Sequence, residues 1–286
     1  MKSLDPKNLS VPEVHQYLLS AVVPRPIAFA STVDAKGRVN LSPYSFFNCF
    51  GANPPILVFS PSRRGRDNTT KHTFQNVKEV SEVVISMVTY NMVEQMSLAS
   101  TEYPKGVNEF EKAGFTAVAS ERVTPPRIGE SPVNFECQVK EVKPLGEEGG
   151  AGNLVICEVV LMHFNESVLG ENGKVDPFKL DAVARLGGNF YSRIIPETLF
   201  EVGKPLKRLG IGIDQLPENI RNSTVLTGND LAKLANVEAV PVPDDELKKK
   251  ANVLVTGKTV EQIHRIVSEI LLRGEIELAW ACLLEG

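Results

Sequence analysis

The sequence predicts a mainly β fold, an antiparallel barrel decorated with helices, followed by a helical C-terminal extension. About six β-rich segments occur along the first part of the 286 residues, and they do not repeat. The helical segments between them are too few and too irregular for a doubly wound parallel sheet. Beyond Pro205 the apolar pattern becomes helical. We therefore expect a barrel domain over 1–204 and a helical extension over 205–286.

The N-terminal region predicts a short helix and a β-hairpin. Ser10 with Glu13 forms a capping-box signature, which indicates where the helix begins. An apolar, partly β-branched segment over 26–33 is followed by the turn sequence 34–37 and by an extended segment over 38–45. These residues predict two antiparallel strands early in the chain.

The central region predicts further strands separated by short helices. In chain order the segments are a strand over 56–60, a polar loop over 63–70, a helix over 73–79, a strand over 83–90, helical turns over 91–99 and 107–113, and strands over 115–119, 133–142 and 154–164. The glycine-rich stretch 147–152 is predicted to be the turn between the last two strands.

The C-terminal region predicts three helical segments, over 230–237, 244–254 and 259–285, the last being either one helix or a helix with a loop. Thr259 and Gln262 are suited to cap the last segment. Its apolar residues recur at helical spacing, so one face of the helix must pack against another part of the protein or against a second copy. That face either covers one side of the barrel or offers a surface for pairing with a second copy.

Composition and charge exclude several classes of function. The net charge of -4 does not give the clustered positive field that a nucleic-acid backbone needs, and the only run of lysines, 248–250, follows the acidic residues 244–246. Nowhere do about 18 apolar residues run together, and residues 1–10 lack an apolar core, so we expect a cytoplasmic protein without a membrane span. The four cysteines show no zinc-site spacing, which predicts reduced thiols and no metal.

Three segments share a composition that suits a phosphate group. Each is a strand that ends in small polar residues, and they lie within 28–32, 40–48 and 59–73. Hydroxyls, free loop amides and cations are the donors that hold a phosphomonoester dianion. The cations of the third segment are Arg63, Arg64, Arg66 and Lys71. The alternative is that this segment is an ordinary solvated surface loop.

The same segments resemble the flavin-reductase-like, FMN-binding split-barrel family, in particular its flavoredoxin-like branch. The resemblance covers about residues 23–191. Its motifs, in order, are Pro24-Arg-Pro-Ile-Ala-Phe-Ala-Ser-Thr32, Asn40-Leu-Ser-Pro-Tyr-Ser-Phe-Phe-Asn48, Lys71-His-Thr73 and Arg185-Leu-Gly-Gly188 with Tyr191. Each fragment alone is weak, but their order and spacing together are specific.

The resemblance implies a bound FMN and assigns residues to it. The isoalloxazine ring would lie along the backbone of Ser45, Phe46, Phe47 and Asn48, with Ser31 and Thr32 nearby. The phosphate would be held by the loop after Ser60, by Lys71 and Thr73, and by Arg63 or Arg66. One position departs from the family pattern, since His72 stands where Asp is usual.

The resemblance also implies a redox function and a homodimer. Reduced nicotinamide, NADH or NADPH, would stack on the flavin and pass hydride to it. His163 and Tyr191 are the candidates for lining the nicotinamide side, although a core or surface role is the alternative for each. The flavin site of the family lies near the interface of two copies, so pairing would complete the site.

Three functions remain open from the sequence. The first is an NAD(P)H-dependent flavin reductase that passes electrons to a partner protein, a metal complex or oxygen. The second is a flavoredoxin-like electron carrier with tightly held FMN. The third is a barrel that has lost flavin chemistry, which the altered Lys71-His72-Thr73 motif keeps open.

Overall fold

The computed structural model describes residues 1–203, 205 and 209–286, and these form two compact units, Met1–Leu199 and Phe200–Gly286. The sequence-based domain boundary at 204/205 stays a prediction, and Lys204 itself lies outside the described residues. Each unit is described separately below.

The strands belong to the first unit. They are β1 (Ala28–Val33), β2 (Val39–Tyr44), β3 (Phe47–Ala52), β4 (Pro55–Phe59), β5 (Glu82–Ser86), β6 (Ala117–Val118), β7 (Arg127–Ile128), β8 (Val133–Pro144), β9 (Asn153–Phe164), β10 (Val183–Arg185) and β11 (Tyr191–Arg193).

The helices occur in both units. They are α1 (Val11–Ala21), α2 (His72–Glu79), α3 (Val93–Ala99), α4 (Glu109–Ala113), α5 (Pro177–Leu180), α6 (Glu218–Arg221), α7 (Gly228–Ala235), α8 (Asp245–Val255), α9 (Val260–Leu272) and α10 (Ile276–Glu285).

Seven strands form one antiparallel sheet in the order β2-β1-β5-β8-β9-β4-β3. The two end strands, β2 and β3, are joined by Ser45 and Phe46 alone. A flat sheet of this width would separate its edges by about 29 Å, whereas the chain from Tyr44 to Phe47 reaches at most about 11 Å. The sheet must therefore curl until its edges meet. The mainly β, antiparallel barrel expected from the sequence is confirmed.

Strand β1 shows how the curled sheet is packed on both faces, because all six of its residues are buried. Successive side chains of a strand point to opposite faces. Accordingly Phe29 packs in a cluster with Met96 of α3 and Phe110 of α4, whereas Ala28 and Ala30 pack in a second cluster with the large aromatic residues of the sheet. Helices α3 and α4 thus pack on the face that carries Phe29. On the other face the small alanines leave room for the aromatic residues of the sheet.

Local signals place the helices of the first unit. The predicted capping box of Ser10 and Glu13 is present at the start of α1. Asn108 caps α4, which ends at Gly114 with a φ of 70°, a conformation that favours glycine. Helix α1 has no buried residue, so side-chain packing contributes little to holding it against the barrel.

The second unit is helical and has its own core. Trp280 is fully buried there, with Leu234, Val267 and Leu271 around it. Thr259 and Gln262 form the expected capping box of α9. The predicted segment 259–285 is two helices, because the chain turns at Gly274 with a φ of 78°.

Some elements differ from the sequence expectation. Strand β3 was not predicted as a strand, and the strand expected over 83–90 ends at Ser86 and gives way to a 3-10 helix, Tyr90–Met92. The four cysteines are free thiols, with Cys49 exposed and the others buried. Among the described helices, none is long and apolar enough to cross a membrane.

Candidate functional site

A cavity of about 640 Å³ opens where the two edges of the sheet meet. Its walls come from α1, the Ser45–Phe46 connection, the loop after β4, the turn after α3 and Arg185 of β10. A volume of this size lies within the usual range of small-molecule sites, about 300–1,000 Å³. Six cations line it, namely Arg25, Arg63, Arg64, Arg66, Lys71 and Arg185. Glu102 is the one carboxylate among the described lining residues, so the cavity favours an anion.

The cationic loop after β4 is held in place by the turn between β8 and β9. The backbone N–H of Arg63 donates to Ala151 O at 2.9 Å, and Gly150 N–H donates to Arg63 O at 3.1 Å. A Cβ at Gly149 would lie 3.1 Å from the carbonyl oxygen of Arg64. The glycines of this turn therefore permit a close approach between the two backbones. This approach fixes the loop that carries four of the six cations.

The guanidinium of Arg63 stabilises the loop itself. Its Nε donates to Asn68 Oδ1 and its Nη2 to Asn68 O, both at 2.6 Å. Arg63 lines the cavity, but these bonds commit its Nε–H and one Nη2–H to its own loop. Its first role in this structure is to shape the loop.

The other three cations of the loop converge on Glu102. Glu102 Oε1 accepts from Arg64 Nε at 2.9 Å and from Lys71 Nζ at 3.1 Å, and Glu102 Oε2 pairs with Arg66 Nη2. Hydrogen bonds from Lys71 and Arg64 lower the pKa of the Glu102 carboxyl to about 2. Glu102 is therefore ionised at neutral pH. The three cations that suit a phosphate already share one carboxylate.

Behind this cluster lies a buried hydrogen-bond network that includes Tyr44 of the cavity wall. Thr73 is fully buried, and its Oγ1 accepts from Asn40 Nδ2 at 2.9 Å and from the Tyr44 hydroxyl at 2.8 Å. Thr73 is therefore part of the support of the cavity wall. The neighbouring His72 has a lowered pKa, because of burial first and then of Arg64, Lys105 and Lys71.

Comparison with known proteins identifies the family. A family model described as a flavin reductase like domain matches residues 19–179, which is more than half of the chain. The chain belongs to the flavin reductase like family. An uncharacterized protein of Aquifex aeolicus is 38% identical over 189 residues, which are 66% of this chain and 94% of that protein. The family match ends before the second unit begins.

Solved structures agree with this family. Nitrilotriacetate monooxygenase component B from Bacillus cereus is 29% identical, with a TM-score of 0.65 over 71% of this chain and 98% of that chain. A Shewanella frigidimarina protein with a split barrel domain is 24% identical, with a TM-score of 0.60 over 71% of this chain and 99% of that chain. The fold of the first unit is thus the split barrel.

The cavity residues fit the phosphorylated flavin that this flavin reductase like family suggests. Lys71 and Arg66 supply cations for a phosphate, and Ser45 and Ser60 supply hydroxyls. Phe46 offers an aromatic surface for a ring, with its side chain 38% exposed. Of the residues predicted from the sequence, these five and Arg63 line the cavity.

Other predicted residues of the flavin site lie outside the cavity lining. Ser31 and Thr32 are fully buried in β1, where Thr32 Oγ1 accepts from Asn76 Nδ2 at 3.1 Å. Phe47 packs against the core of the sheet. Asn48 is exposed on β3, and its Oδ1 accepts from the N–H of Cys49. Contacts of these residues with flavin stay predictions.

His163 is engaged in a hydrogen-bond network around the buried Glu136. Its Nε2 lies 2.7 Å from Oε1 of Glu136, whose side chain is fully buried. Glu136 also accepts the backbone N–H groups of Glu121 and Arg122, at 2.9 and 2.6 Å. His163 does not line the cavity, and its visible role is to hold Glu136. Its nicotinamide role stays a prediction.

Tyr191 reaches the cavity only through its neighbour. The guanidinium carbon of Arg185 lies 4.5 Å from the centroid of the Tyr191 ring, and Arg185 lines the cavity. Such stacking fixes the orientation of a guanidinium. The Tyr191 ring itself borders a smaller cleft beside α3. Its place beside nicotinamide stays a prediction.

Three charged lining residues, Arg25, Arg185 and Glu102, were missing from the sequence-based site. Arg25 and Arg185 lie inside motifs that the family resemblance quoted, so their motifs were a signal that they carry function. Arg25 donates to Leu19 O and Val22 O, both at 2.6 Å, and so fastens the end of α1 to the wall. Glu102 is 31 residues from Lys71, and nothing in its local sequence signals the contact.

Proposed function

We propose that this chain is an FMN-binding, NAD(P)H-dependent flavin reductase that works as a homodimer. The observation that carries the proposal is the cavity at the meeting sheet edges, where six cations and several hydroxyls surround a space of about 640 Å³. The family shown by the comparison supports flavin as the ligand. The Bacillus cereus neighbour is named a monooxygenase component, which agrees with electron transfer to a partner protein.

Different residues of the chain would bind the phosphate and the ring of the flavin. Lys71, Arg64 and Arg66 would hold the phosphate by charge-assisted hydrogen bonds. Ser45 and Phe46 would lie along the ring, since they form the connection between β2 and β3. A bound flavin supplies the electron-accepting ring, so the protein contributes binding, orientation and exclusion of water.

Nicotinamide recognition would fall to the part of the cavity wall that carries Arg185. Arg185 is oriented by Tyr191 and lies on the cavity, which suits a phosphate of NADH or NADPH. Helix α1 contributes His15 and Leu19 to the same wall. The hydride donor would then enter between this wall and the ring.

Exposed apolar residues support the homodimer. Strand β3 is an edge of the sheet, and its Phe50 is 68% exposed. Tyr17 and Leu18 of α1 are 49% and 52% exposed, and Met162 of β9 is 47% exposed. An exposed sheet edge with large apolar side chains is typical of a surface that is covered by a partner. A second copy of the barrel would cover these residues.

Absorbance and stopped-flow measurements test the function. We expect the purified protein, alone or with added FMN, to show protein-bound flavin absorbance that bleaches rapidly on mixing with NADH or NADPH. Bound flavin that is not bleached by either nucleotide would assign the chain as an electron carrier instead. A protein that binds no flavin would overturn the proposal.

A further inference from the structure

Glu102 lies where the three phosphate-binding cations of the loop converge. Its two oxygens contact Arg64 Nε at 2.9 Å, Lys71 Nζ at 3.1 Å and Arg66 Nη2. The cations come from one loop, whereas Glu102 comes from the turn after α3. A carboxylate from a separate segment thus makes the contacts that a phosphate would make.

The charges of the cluster show what Glu102 does to the site. Arg64, Arg66 and Lys71 carry three positive charges, and Glu102 cancels one of them. Asp67 also pairs with Arg66, at 3.1 Å, but it does not line the cavity. A phosphomonoester carries close to two negative charges at neutral pH. Two anions on the same three cations would repel each other strongly.

The position of Glu102 allows its side chain to move away from the three cations. Its side chain is 33% exposed, whereas the side chain of Arg64 is 13% exposed. Arg64 is also fixed by Thr69 Oγ1 at 3.1 Å and by Thr70 O at 2.7 Å. Arg64 is therefore held by its own loop, and Glu102 can turn toward water without releasing it.

We propose that Glu102 is an internal counterion that occupies the phosphate position and yields it when a phosphorylated flavin binds. This inference rests on the proposed function, since it concerns the same cavity. Glu102 would keep the cations apart and oriented while the ligand is absent. It would also lower the affinity for phosphorylated flavin relative to flavin without a phosphate, because the incoming phosphate must displace it.

Titrations of FMN and riboflavin test this role directly, because the two ligands differ in the phosphate. In Glu102→Gln we expect FMN to bind about tenfold more tightly than in the wild type, since a competing charge is removed. Riboflavin affinity should change by less than about twofold. Quenching of flavin fluorescence measures both, and FMN binding should become more sensitive to salt in the variant.

Glu111→Gln is the matched control, since Glu111 is an exposed carboxylate of the same unit that does not line the cavity. It should change neither affinity. If FMN binds Glu102→Gln equally or more weakly, with riboflavin unaltered, Glu102 only orders the loop and the inference is wrong.

A second probe separates this inference from the proposed function. If the wild type binds neither flavin, the proposed function fails, and calorimetric titration with inorganic phosphate then decides the role of Glu102. Tighter phosphate binding by Glu102→Gln than by the wild type would support the counterion role. Equal or weaker phosphate binding would overturn it.

Discussion

Lys71 combines a flexible cationic side chain with a place at the start of α2. Its Nζ is 3.1 Å from Glu102, and its side chain is 32% exposed, so the ammonium can reach a ligand in the cavity. We expect Lys71→Ala to weaken FMN binding by about 1.5–3 kcal/mol, through loss of a charge-assisted hydrogen bond. Fluorescence titration measures the change.

Lys36→Ala is the control for this variant, because Lys36 is exposed in the turn between β1 and β2 and does not line the cavity. It should leave FMN affinity unaltered. An unchanged affinity in Lys71→Ala itself would remove Lys71 from the site.

Glu136 makes the stability of the barrel depend on pH. Burial raises the pKa of its carboxyl, but hydrogen bonds from the backbone of Glu121 and Arg122 and from His163 outweigh burial, so the pKa lies below its usual value. A carboxyl with a lowered pKa stabilises the folded state above its unfolded pKa, and this contribution is lost as the pH falls through the folded pKa.

The expected result is that Glu136→Gln lowers the free energy of unfolding by about 2–3 kcal/mol at pH 7. The difference from the wild type should shrink as the pH falls from about 4.3, the pKa of the unfolded state, through the lower folded pKa, where the wild-type carboxylate is also lost. Urea unfolding at pH 7, 5 and 3 measures it, with the exposed Glu94→Gln as control. A difference that stays constant across this pH range would refute the assignment.

The residue types of the site could be predicted better than their contacts. Lys71, Arg66 and Ser60 were assigned from a loop rich in cations and hydroxyls, and they do line the cavity. The family resemblance assigns Thr73 to the phosphate, yet its hydroxyl is turned to Tyr44 and Asn40. Sequence spacing does not tell which way a hydroxyl points, because that depends on partners that are distant in the chain.

Strand β3 is the element on which pairing of two copies would depend. It lies at the edge of the sheet, and Phe50 on it is 68% exposed. We expect Phe50→Glu to dissociate the proposed homodimer, because a carboxylate buried at the interface would lose its hydration without a partner. Sedimentation velocity measures the oligomeric state across a range of concentrations.

Val253→Glu is the control for the pairing experiment, since Val253 is 85% exposed on α8 of the second unit. It should leave the dimer intact. A wild type that sediments as a monomer, or a Phe50→Glu dimer as stable as the wild type, would contradict the proposed interface.

Most elements could be predicted from local pattern, but β3 could not. Strands β1, β2, β4 and β9 have apolar, β-branched or alternating sequences, and their bounds differ from the expected ones by only a few residues. Strand β3 contains Cys49 and Gly51 and exposes most of its residues, so it has little strand signal. It becomes a strand because β4 pairs with it.

Tyrosine and tryptophan occur in different units of the chain. All five tyrosines lie in Met1–Leu199, and the single tryptophan, Trp280, is fully buried in the second unit. Each hydrophobic core cluster contains residues of one unit only. We therefore expect two transitions on unfolding.

Phe29→Ala tests this division, because Phe29 is fully buried in the first unit. We expect it to destabilise that unit by about 3–5 kcal/mol. Tyrosine circular dichroism should report the lower urea midpoint, whereas Trp280 emission should keep its wild-type midpoint. A joint shift of both signals would show that the two units unfold as one.

The two-residue connection between β2 and β3 couples the curvature of the sheet to the shape of the cavity. Ser45 and Phe46 bring the outermost strands together, and the same two residues line the cavity. An insertion there would loosen the curvature of the sheet and reshape the cavity in a single mutational event. Selection for the fold and selection for the cavity therefore both act on this connection. Homologues that keep the chemistry should show no variation in its length.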